Sequence, residues 1–244
     1  MSSPSRSPSP VSLAAVTDPG SFRGFPPAAL EFYRRLAADN SKTFWADQRS
    51  VYDEAVRGPL EALAAEVEDR YGEFRIFRPN RDVRFSKDKR PYKEQQGGYA
   101  QSPGGAAYYV AIDAEGLFVG AGYYQMARDQ LARFREAVAA DTTGPELEQI
   151  VAGYGGDIEI GGRELRTAPR GYPRDHPRLR LLQHRGLTIA RRFGAPAWLS
   201  TRAAKARIEA FWTTAEPLNG WLDRNVGPSE EARPQEARSQ EGRR

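Results

Sequence analysis

The sequence predicts an α+β fold, a single domain in which helices pack on a central, mostly antiparallel sheet. Three observations support this prediction. Apolar residues recur at helical spacing between residues 22 and 71. After Gly72, short strand-like segments follow one another without crossover helices, which favours antiparallel or mixed pairing. Finally, segments of a different composition flank the region 22–225.

The composition changes at both ends of the 244-residue chain. Residues 1–21 are rich in Ser and Pro, and residues 226–244 contain mainly Pro, Glu, Gln and Arg with a single Val. Neither segment can bury enough apolar surface to offset the entropy cost of ordering it. We therefore expect two disordered tails around one domain at 22–225, a size that a single core can support.

Composition also excludes several classes of protein. No stretch approaches the ~20 apolar residues of a membrane helix, and the first residues lack the apolar run of a secretory signal. Without cysteine there is no disulfide framework and no thiolate zinc site. His176 and His184 would lie roughly 12 Å apart along a helix, too far to share a metal ion. We expect a cytoplasmic protein with no metal, no cofactor and no membrane partner.

The first part of the domain has the periodicity of helices. The pair Pro26-Pro27 stands where a helix can begin, and Asn40 ends the apolar spacing that follows. Ser41 is a candidate N-cap for a second helix. The pair Gly58-Pro59 is expected to break that helix, and Pro59 to start a third.

Between residues 74 and 124 the apolar period changes to that of strands. The predicted strands are 74–77, 82–85, 108–112 and 117–124. An Asp-Ala-Glu-Gly sequence at 113–116 predicts a tight turn that joins the last two of these strands in a hairpin.

The last part of the domain is expected to mix helices and strands. A short strand at 158–160 is predicted to pair with the segment at Leu165, and another strand covers 187–193. Helices are predicted over 127–139 and 145–153, from Pro177, over 200–213, and finally through Trp221.

Positive charge is concentrated in two segments of the chain, whose formal net charge is +4. Residues 75–93 contain eight basic and two acidic residues, and residues 163–192 contain nine basic and two acidic residues. The rest of the domain must therefore be acidic. Two basic segments on such a domain favour a localised anion site over a general polyanion binder.

The segment 78–93, RPNRDVRFSKDKRPYK, carries the main functional prediction. On a strand, Val83 and Phe85 would face the core, and Asp82 and Arg84 would face the opposite side. Clustered cations repel one another unless an anion shares the space, and Arg and Lys are suited to phosphate or carboxylate. The alternative is a solvated edge strand that its lysines protect against aggregation. The candidate anion contacts are Arg81, Asp82, Arg84, Lys87, Lys89, Arg90, Tyr92 and Lys93.

Two further features are weaker. The irregular stretch 166–176 adds Arg170 and Arg174 as candidate anion contacts, in a loop whose position depends on the fold around it. Gly120 and Gly122 on one strand indicate a close approach, either by a packed ring or helix or by a ligand.

Common catalytic motifs are missing from the sequence, including the Walker A loop, the nucleophile elbow and His-Glu-x-x-His. Ser86-Lys87-Asp88-Lys89 matches the S-x-x-K string of penicillin-recognising enzymes, but their companion strings Ser-Asp-Asn and Lys-Thr-Gly do not occur. No catalytic residue is assigned.

Several strings together resemble a known family. FRGFPPAALEFYRRLAADN, RDVRFSKDKRPYK, YYVAIDAEGLFVGAGYY and PLNGWL occur in the order typical of the bacterial and fungal family called domain of unknown function 2461. The resemblance spans roughly Phe22 to Leu222 and implies one α+β domain, with no catalytic residues to carry over. Many members have Thr-His after Pro-Tyr-Lys, where this chain has Glu94-Gln95, so no histidine acid or base is carried over there.

The sequence thus favours a protein that binds a small phosphate- or carboxylate-bearing ligand at the basic segment, with no reaction assigned. One alternative is a nucleic-acid-binding module whose two basic segments follow a phosphate backbone. Another is a structural or interaction domain without a small-molecule site. The sequence does not indicate an oligomeric state.

Limited proteolysis should trim the chain to a resistant fragment of about residues 20–226, because unpacked tails are cleaved first. Mass spectrometry identifies the fragment, and its melting temperature should equal that of the full chain. Two separately resistant fragments would contradict a single domain.

Overall fold

The computed structural model describes residues 20–84 and 87–230 of the chain. The predicted N-terminal tail up to residue 19 and residues 231–244 of the predicted C-terminal tail lie outside the described residues, as do Phe85 and Ser86. Within the described part, none of the helices combines the length and the apolar character that crossing a membrane requires.

Helices form the first part of the domain, as the periodicity predicts. The first begins at the predicted prolines, and Ser41 caps the second by accepting a hydrogen bond from the N–H of Phe44 at 3.0 Å. These elements are α1 (Pro27–Ala38), α2 (Lys42–Asp47), α3 (Arg49–Tyr52), a π-helical turn (Asp53–Arg57) and α4 (Gly58–Tyr71).

The helix predicted to start at Pro59 is confirmed as α4, which begins at Gly58, but the predicted break before it is wrong. The helical backbone continues from α3 into α4 through the π-helical turn, where the N–H of Gly58 donates to the carbonyl of Asp53, five residues earlier. Pro59 has no N–H to donate, and its ring crowds the carbonyl four residues before it. The wider π turn makes room for this ring. The hydrogen bonds change there from a four-residue to a five-residue spacing, and the helix does not end.

A six-stranded sheet forms the second layer of the described chain, in the order β1-β2-β3-β4-β6-β5. Every neighbouring pair is antiparallel, which confirms the predicted fold class. The predicted hairpin is β3–β4. The strands are β1 (Phe74–Ile76), β2 (Gln95–Gln101), β3 (Ala107–Asp113), β4 (Gly116–Tyr123), β5 (Glu159–Arg163) and β6 (His184–Gly194).

The strand prediction for 82–85 is wrong, and β2 was not predicted. Residues 82–84 have no strand structure, and Val83 is only half-buried. The sequence of β2, QQGGYAQ, lacks the β-branched residues that signal a strand. It forms because β1 and β3 pair with it from both sides, so the neighbouring strands override its weak propensity.

The region before β6 also differs from its prediction. β5 pairs with β6 and not with the segment at Leu165, whose N–H donates to the carbonyl of Gln183 instead. The helix expected from Pro177 is only the single turn α7 (Leu179–Leu182). The two helices predicted after β4 are confirmed as α5 (Arg128–Ala139) and α6 (Gly144–Ala152).

One long helix, α8 (Ala203–Asn225), replaces the two helices predicted at the end of the domain. Pro217 lies inside it, where an interior proline costs about 3 kcal/mol. The helix continues because Trp212 and Trp221 are fully buried on either side of the proline. Packing outweighs the local cost.

The helices pack on one face of the sheet. Val110 of β3 is fully buried there, in one core with residues of α1, α4 and α8. Alternate strand residues point to the opposite face, where Tyr99, Tyr109 and Phe118 are only partly buried. In the described part of the chain, the ring contacts of these three are with one another or with Phe77, and none is with a helix.

The packed region extends beyond the predicted boundary at residue 225. Side chains of α5 hold residues 226–230: Arg133 donates to two carbonyls of this segment, and Asp129 accepts from the N–H of Glu230. The domain therefore reaches at least residue 230.

Burial lowers the pKa of His184 at the start of β6, although its Nδ1 lies 3.1 Å from the carbonyls of Gly161 and Gly186. The folded state therefore prefers the neutral imidazole. The free energy of unfolding should be unaffected by this group above its unfolded-state pKa of about 6.5 and should decrease as the pH falls below it. Denaturant melts from about pH 8 to about pH 5 measure this dependence.

The two histidines provide a matched pair for this test. His184→Asn should flatten the curve between about pH 6.5 and 5, because the titrating group has gone. His176→Asn keeps His184, so the part of the slope that His184 contributes should remain. Equal flattening by both substitutions would contradict the assignment.

Candidate functional site

Residues 81–84 and 87–91, here called the basic loop, leave the sheet from a narrow neck between β1 and β2. At the neck, Asn80 and Tyr92 form an isolated antiparallel bridge. Two backbone hydrogen bonds, of 2.8 and 2.9 Å, lie beside this bridge. The basic segment is therefore a loop closed at its base, not a continuous strand.

Tyr92 anchors the neck to the helical layer. Its ring stacks on Trp45 of α2, with the ring centroids 4.1 Å apart and the planes at 8°. The side chain of Asn40 accepts a hydrogen bond from the Tyr92 N–H at 3.0 Å and donates one to its carbonyl at 3.1 Å. Tyr92 was predicted as an anion contact, but its ring is buried, so its role here is to position the loop.

Two arginines of the basic loop already have carboxylate partners. Arg84 donates to both oxygens of Asp82, at 3.0 and 2.7 Å, and this pairing lowers the pKa of Asp82. Arg90 pairs with Asp88 and with Glu94, and its hydrogen bonds lower the pKa of Asp88. Asp82 and Arg84 are thus neighbours, as predicted, but in a loop.

A cleft of about 430 Å³ opens beside the neck. It lies between α1, the start of β2, the β3–β4 turn and β6. Two predicted contacts share it, and the sequence reasoning missed an arginine on its far wall. The lining residues are Tyr33, Ala37, Arg81, Lys93, Glu94, Gln95, Asp113, Ala114, Glu115 and Arg192.

Lys93 lies in this cleft without a carboxylate partner among the described residues. Its Nζ donates to the carbonyl of Arg78 at 3.0 Å and lies 5.2 Å from the ring centroid of Phe77. Burial lowers the pKa of Lys93, and the charges of Arg78 and Arg81 lower it further. Arg81 pairs with Asp88 at 2.7 Å, but its buried Nε has no hydrogen-bond partner in the described residues.

The opposite wall of the cleft is formed by an arginine between two carboxylates. Arg192 Nη1 lies 3.1 and 3.0 Å from the two oxygens of Asp113, and Arg192 Nε lies 3.4 Å from Glu115. Asp113 Oδ1 also accepts the N–H groups of Glu115 and Gly116, so the same carboxylate closes the hairpin turn. The signal in the sequence was the arginine pair 191–192 within an otherwise mostly apolar strand.

The remaining predicted contacts do not line the cleft. Lys89 donates to the carbonyl of Val83 at 2.9 Å, and Lys87 is exposed on the loop. Arg170 and Arg174 lie between β5 and α7 and are not among the residues that line the cleft. The second basic segment reaches the cleft only through Arg192, because β6 lies next to β4.

The cleft is equipped for binding by charge and hydrogen bonding. Among the described residues, its lining contains no Ser, Thr, Cys or His. Gln95 donates to the hydroxyl of Tyr109 at 3.1 Å, and Glu94 is held by Arg90. Within residues 20–84 and 87–230, no group of three or more His, Asp or Glu side chains is arranged to hold a metal ion.

The sheet, the cleft and all but the outer ends of α1 and α8 lie within a region that matches a known family. The family described as conserved hypothetical protein (DUF2461) matches residues 28–221. The chain belongs to this family. The DUF2461 region includes Arg81, Lys93 and Arg192, and it confirms the family that the sequence strings predict. No curated protein matches the sequence.

Asn40→Ala should lower the free energy of unfolding of this DUF2461 protein by about 1–3 kcal/mol, because it leaves two backbone groups of Tyr92 without partners. Asn40→Asp should cost less, since it keeps the acceptor for the Tyr92 N–H. Urea denaturation followed by fluorescence measures both.

Asp39→Ala is the matched control, because Asp39 is the exposed neighbour and its side chain makes no hydrogen bond in the described residues. It should change stability by less than about 0.5 kcal/mol. Equal effects of Asn40→Ala and Asp39→Ala would show that the neck does not depend on Asn40.

Proposed function

We propose that this DUF2461 protein binds a small anion, a phosphate or carboxylate group, in the cleft. Lys93 and Arg81 are the main contacts, and Arg192 lies on the opposite wall. The proposal rests on the surroundings of the Lys93 side chain. Its ammonium is half-buried beside two arginines and has no carboxylate partner among the described residues.

The empty cleft is electrostatically unfavourable around Lys93. Burial removes water from the ammonium, and Arg78 and Arg81 repel it, which is why its pKa is lowered. A bound phosphate or carboxylate would offset both effects, since it brings the missing counter-charge into the cleft. A neutral ligand would bring none.

The proposed site contains fewer residues than the sequence predicts, because the other cations of the basic loop are exposed or already paired. Arg84 has a side chain that is 78% exposed and already pairs with Asp82. Arg90 has two carboxylate partners. Exposed and compensated charges of this kind contribute little. We therefore restrict the proposed contacts to the residues that line the cleft.

The two walls of the cleft have different roles in this proposal. Asp113 and Glu115 compensate the charge of Arg192, so that wall offers hydrogen bonds without a net positive charge. The anionic group belongs on the side of Lys93. Binding alone is proposed, because the described lining residues include no hydroxyl, thiol or imidazole side chain apart from the phenol of the buried Tyr33.

Phosphate should raise the melting temperature of the wild type more than chloride does at equal ionic strength. A ligand that binds only the folded state stabilises it by RT ln(1 + [L]/Kd), about 2.7 kcal/mol at 100 Kd. Lys93→Gln should remove most of this gain. Without phosphate, the variant should be as stable as the wild type or slightly more stable, because a repelled charge has gone. Calorimetry of both proteins with and without phosphate measures these effects.

Arg84→Ala is the matched control, because it removes a cation of the same loop that lies outside the cleft. It should retain the full gain from phosphate. Equal gains in the wild type and in Lys93→Gln would overturn the proposal, as would a wild type that gains from neither phosphate nor citrate.

A further inference from the structure

A row of aromatic rings crosses the face of the sheet that carries no helix in the described chain. The row, here called the aromatic row, runs from Tyr99 on β2 through Phe77 and Tyr109 to Phe118 on β4. Successive ring centroids are 5.4, 6.3 and 6.0 Å apart. Four rings therefore form one continuous surface.

Glycines let these rings lie close against the strands. A Cβ atom added to Gly97 would lie 2.7 Å from the hydroxyl of Tyr109, so the Tyr109 side chain occupies the space above this glycine. A Cβ atom added to Gly120 would make ordinary contacts, 3.7 and 3.8 Å from the rings of Phe118 and Tyr109. The glycines therefore help to position the rings of the row on the sheet.

The aromatic row is unusual for a sheet face without a covering layer. Such a face is ordinarily polar, because it contacts water. Here Phe77 is 40% exposed, and the other three rings are only partly buried. A sheet face with one exposed ring and three partly exposed rings side by side is a candidate interaction surface.

Cations contact two rings of the row, Phe77 near one end and Phe118 at the other. Lys93 Nζ lies 5.2 Å from the ring centroid of Phe77, and the guanidinium of Arg192 lies 5.4 Å from that of Phe118. Both residues also line the cleft, so the proposed anion site and the rings are adjacent. Asp113 and Glu115 compensate Arg192, which leaves Lys93 as the main phosphate contact.

We infer that the aromatic row binds single-stranded nucleic acid. Bases stack on Tyr99, Phe77 and Tyr109, while a backbone phosphate lies against Lys93. Aromatic platforms beside cations are the usual means of holding single strands without sequence preference. The inference rests on the proposed anion site only for this phosphate contact; the rings support it independently.

Other occupants of this face fit less well. Residues 1–19 and 231–244 contain no aromatic residue that could pack on the rings. A second copy of the chain would bring the same cations towards the face, so like charges would meet. A duplex hides its bases and cannot stack on the row.

The test is fluorescence anisotropy of the full chain with labelled oligothymidylate and oligouridylate of about 20 nucleotides, and with a duplex of the same length. Single strands should bind more tightly than the duplex, with an affinity that falls as salt rises. Tyr99→Leu and Phe77→Leu should each raise the Kd about five- to 100-fold, because a stacking ring is lost. Tyr99→Phe keeps the ring and should bind like the wild type.

Arg34→Ala, an exposed cation on α1 in the helical layer, is the control and should bind like the wild type. Unchanged binding by both leucine variants, or no binding of single strands by the wild type, would overturn the inference. Dimers that dissociate on Tyr99→Leu would assign the row to a second copy instead. A phosphate-dependent melting shift without oligonucleotide binding would overturn this inference alone. Oligonucleotide binding that the leucine variants weaken, without a phosphate-dependent rise in melting temperature, would overturn only the proposed function.

Discussion

The helix α8 lies across the central strands of the sheet, and the rest of the domain is arranged around this contact. Trp212 donates its indole N–H to the carbonyl of Tyr109, and Trp221 donates to the carbonyl of Thr143. Each ring is buried without leaving its polar atom unpaired. Because α1 and α4 share a core with α8, apolar burial is concentrated on one side of the sheet. The other side is left for the aromatic row.

The position of the basic loop depends on the helical layer more than on the sheet. Asn40 follows α1 and Trp45 belongs to α2, and both bind Tyr92. The next residue along the chain is Lys93, so the two helices determine where its ammonium enters the cleft. The carbonyl of Arg78 accepts one of its hydrogen bonds. A backbone carbonyl therefore holds the ammonium of Lys93 in place, and no carboxylate among the described residues pairs with it.

Local signals predicted much of the fold, and the errors arose where distant partners decide. The β3–β4 turn and the Ser41 cap involve residues that are adjacent in sequence, so their patterns are sufficient. Apolar and charged residues alternate at 82–85 as in a strand, although residues 82–84 do not form one. The glycines of β2 do not indicate a strand, and this strand forms because β1 and β3 pair with it. In the site, charge density identified Arg81 and Lys93. The same count included Arg192 in the second basic segment, but its place in the cleft could not be predicted, because it requires β6 to lie beside β4.

Asp113 joins the hairpin and the cleft in a single side chain. Its Oδ1 holds the backbone of the turn, and the same carboxylate compensates Arg192 on the neighbouring strand. Surface hairpins ordinarily tolerate a change in loop length. Here an inserted residue would move the N–H groups of Glu115 and Gly116 away from Asp113, which pairing with Gln95 of β2 holds in place. A longer hairpin would therefore cost the turn its hydrogen bonds and move Glu115 relative to Arg192.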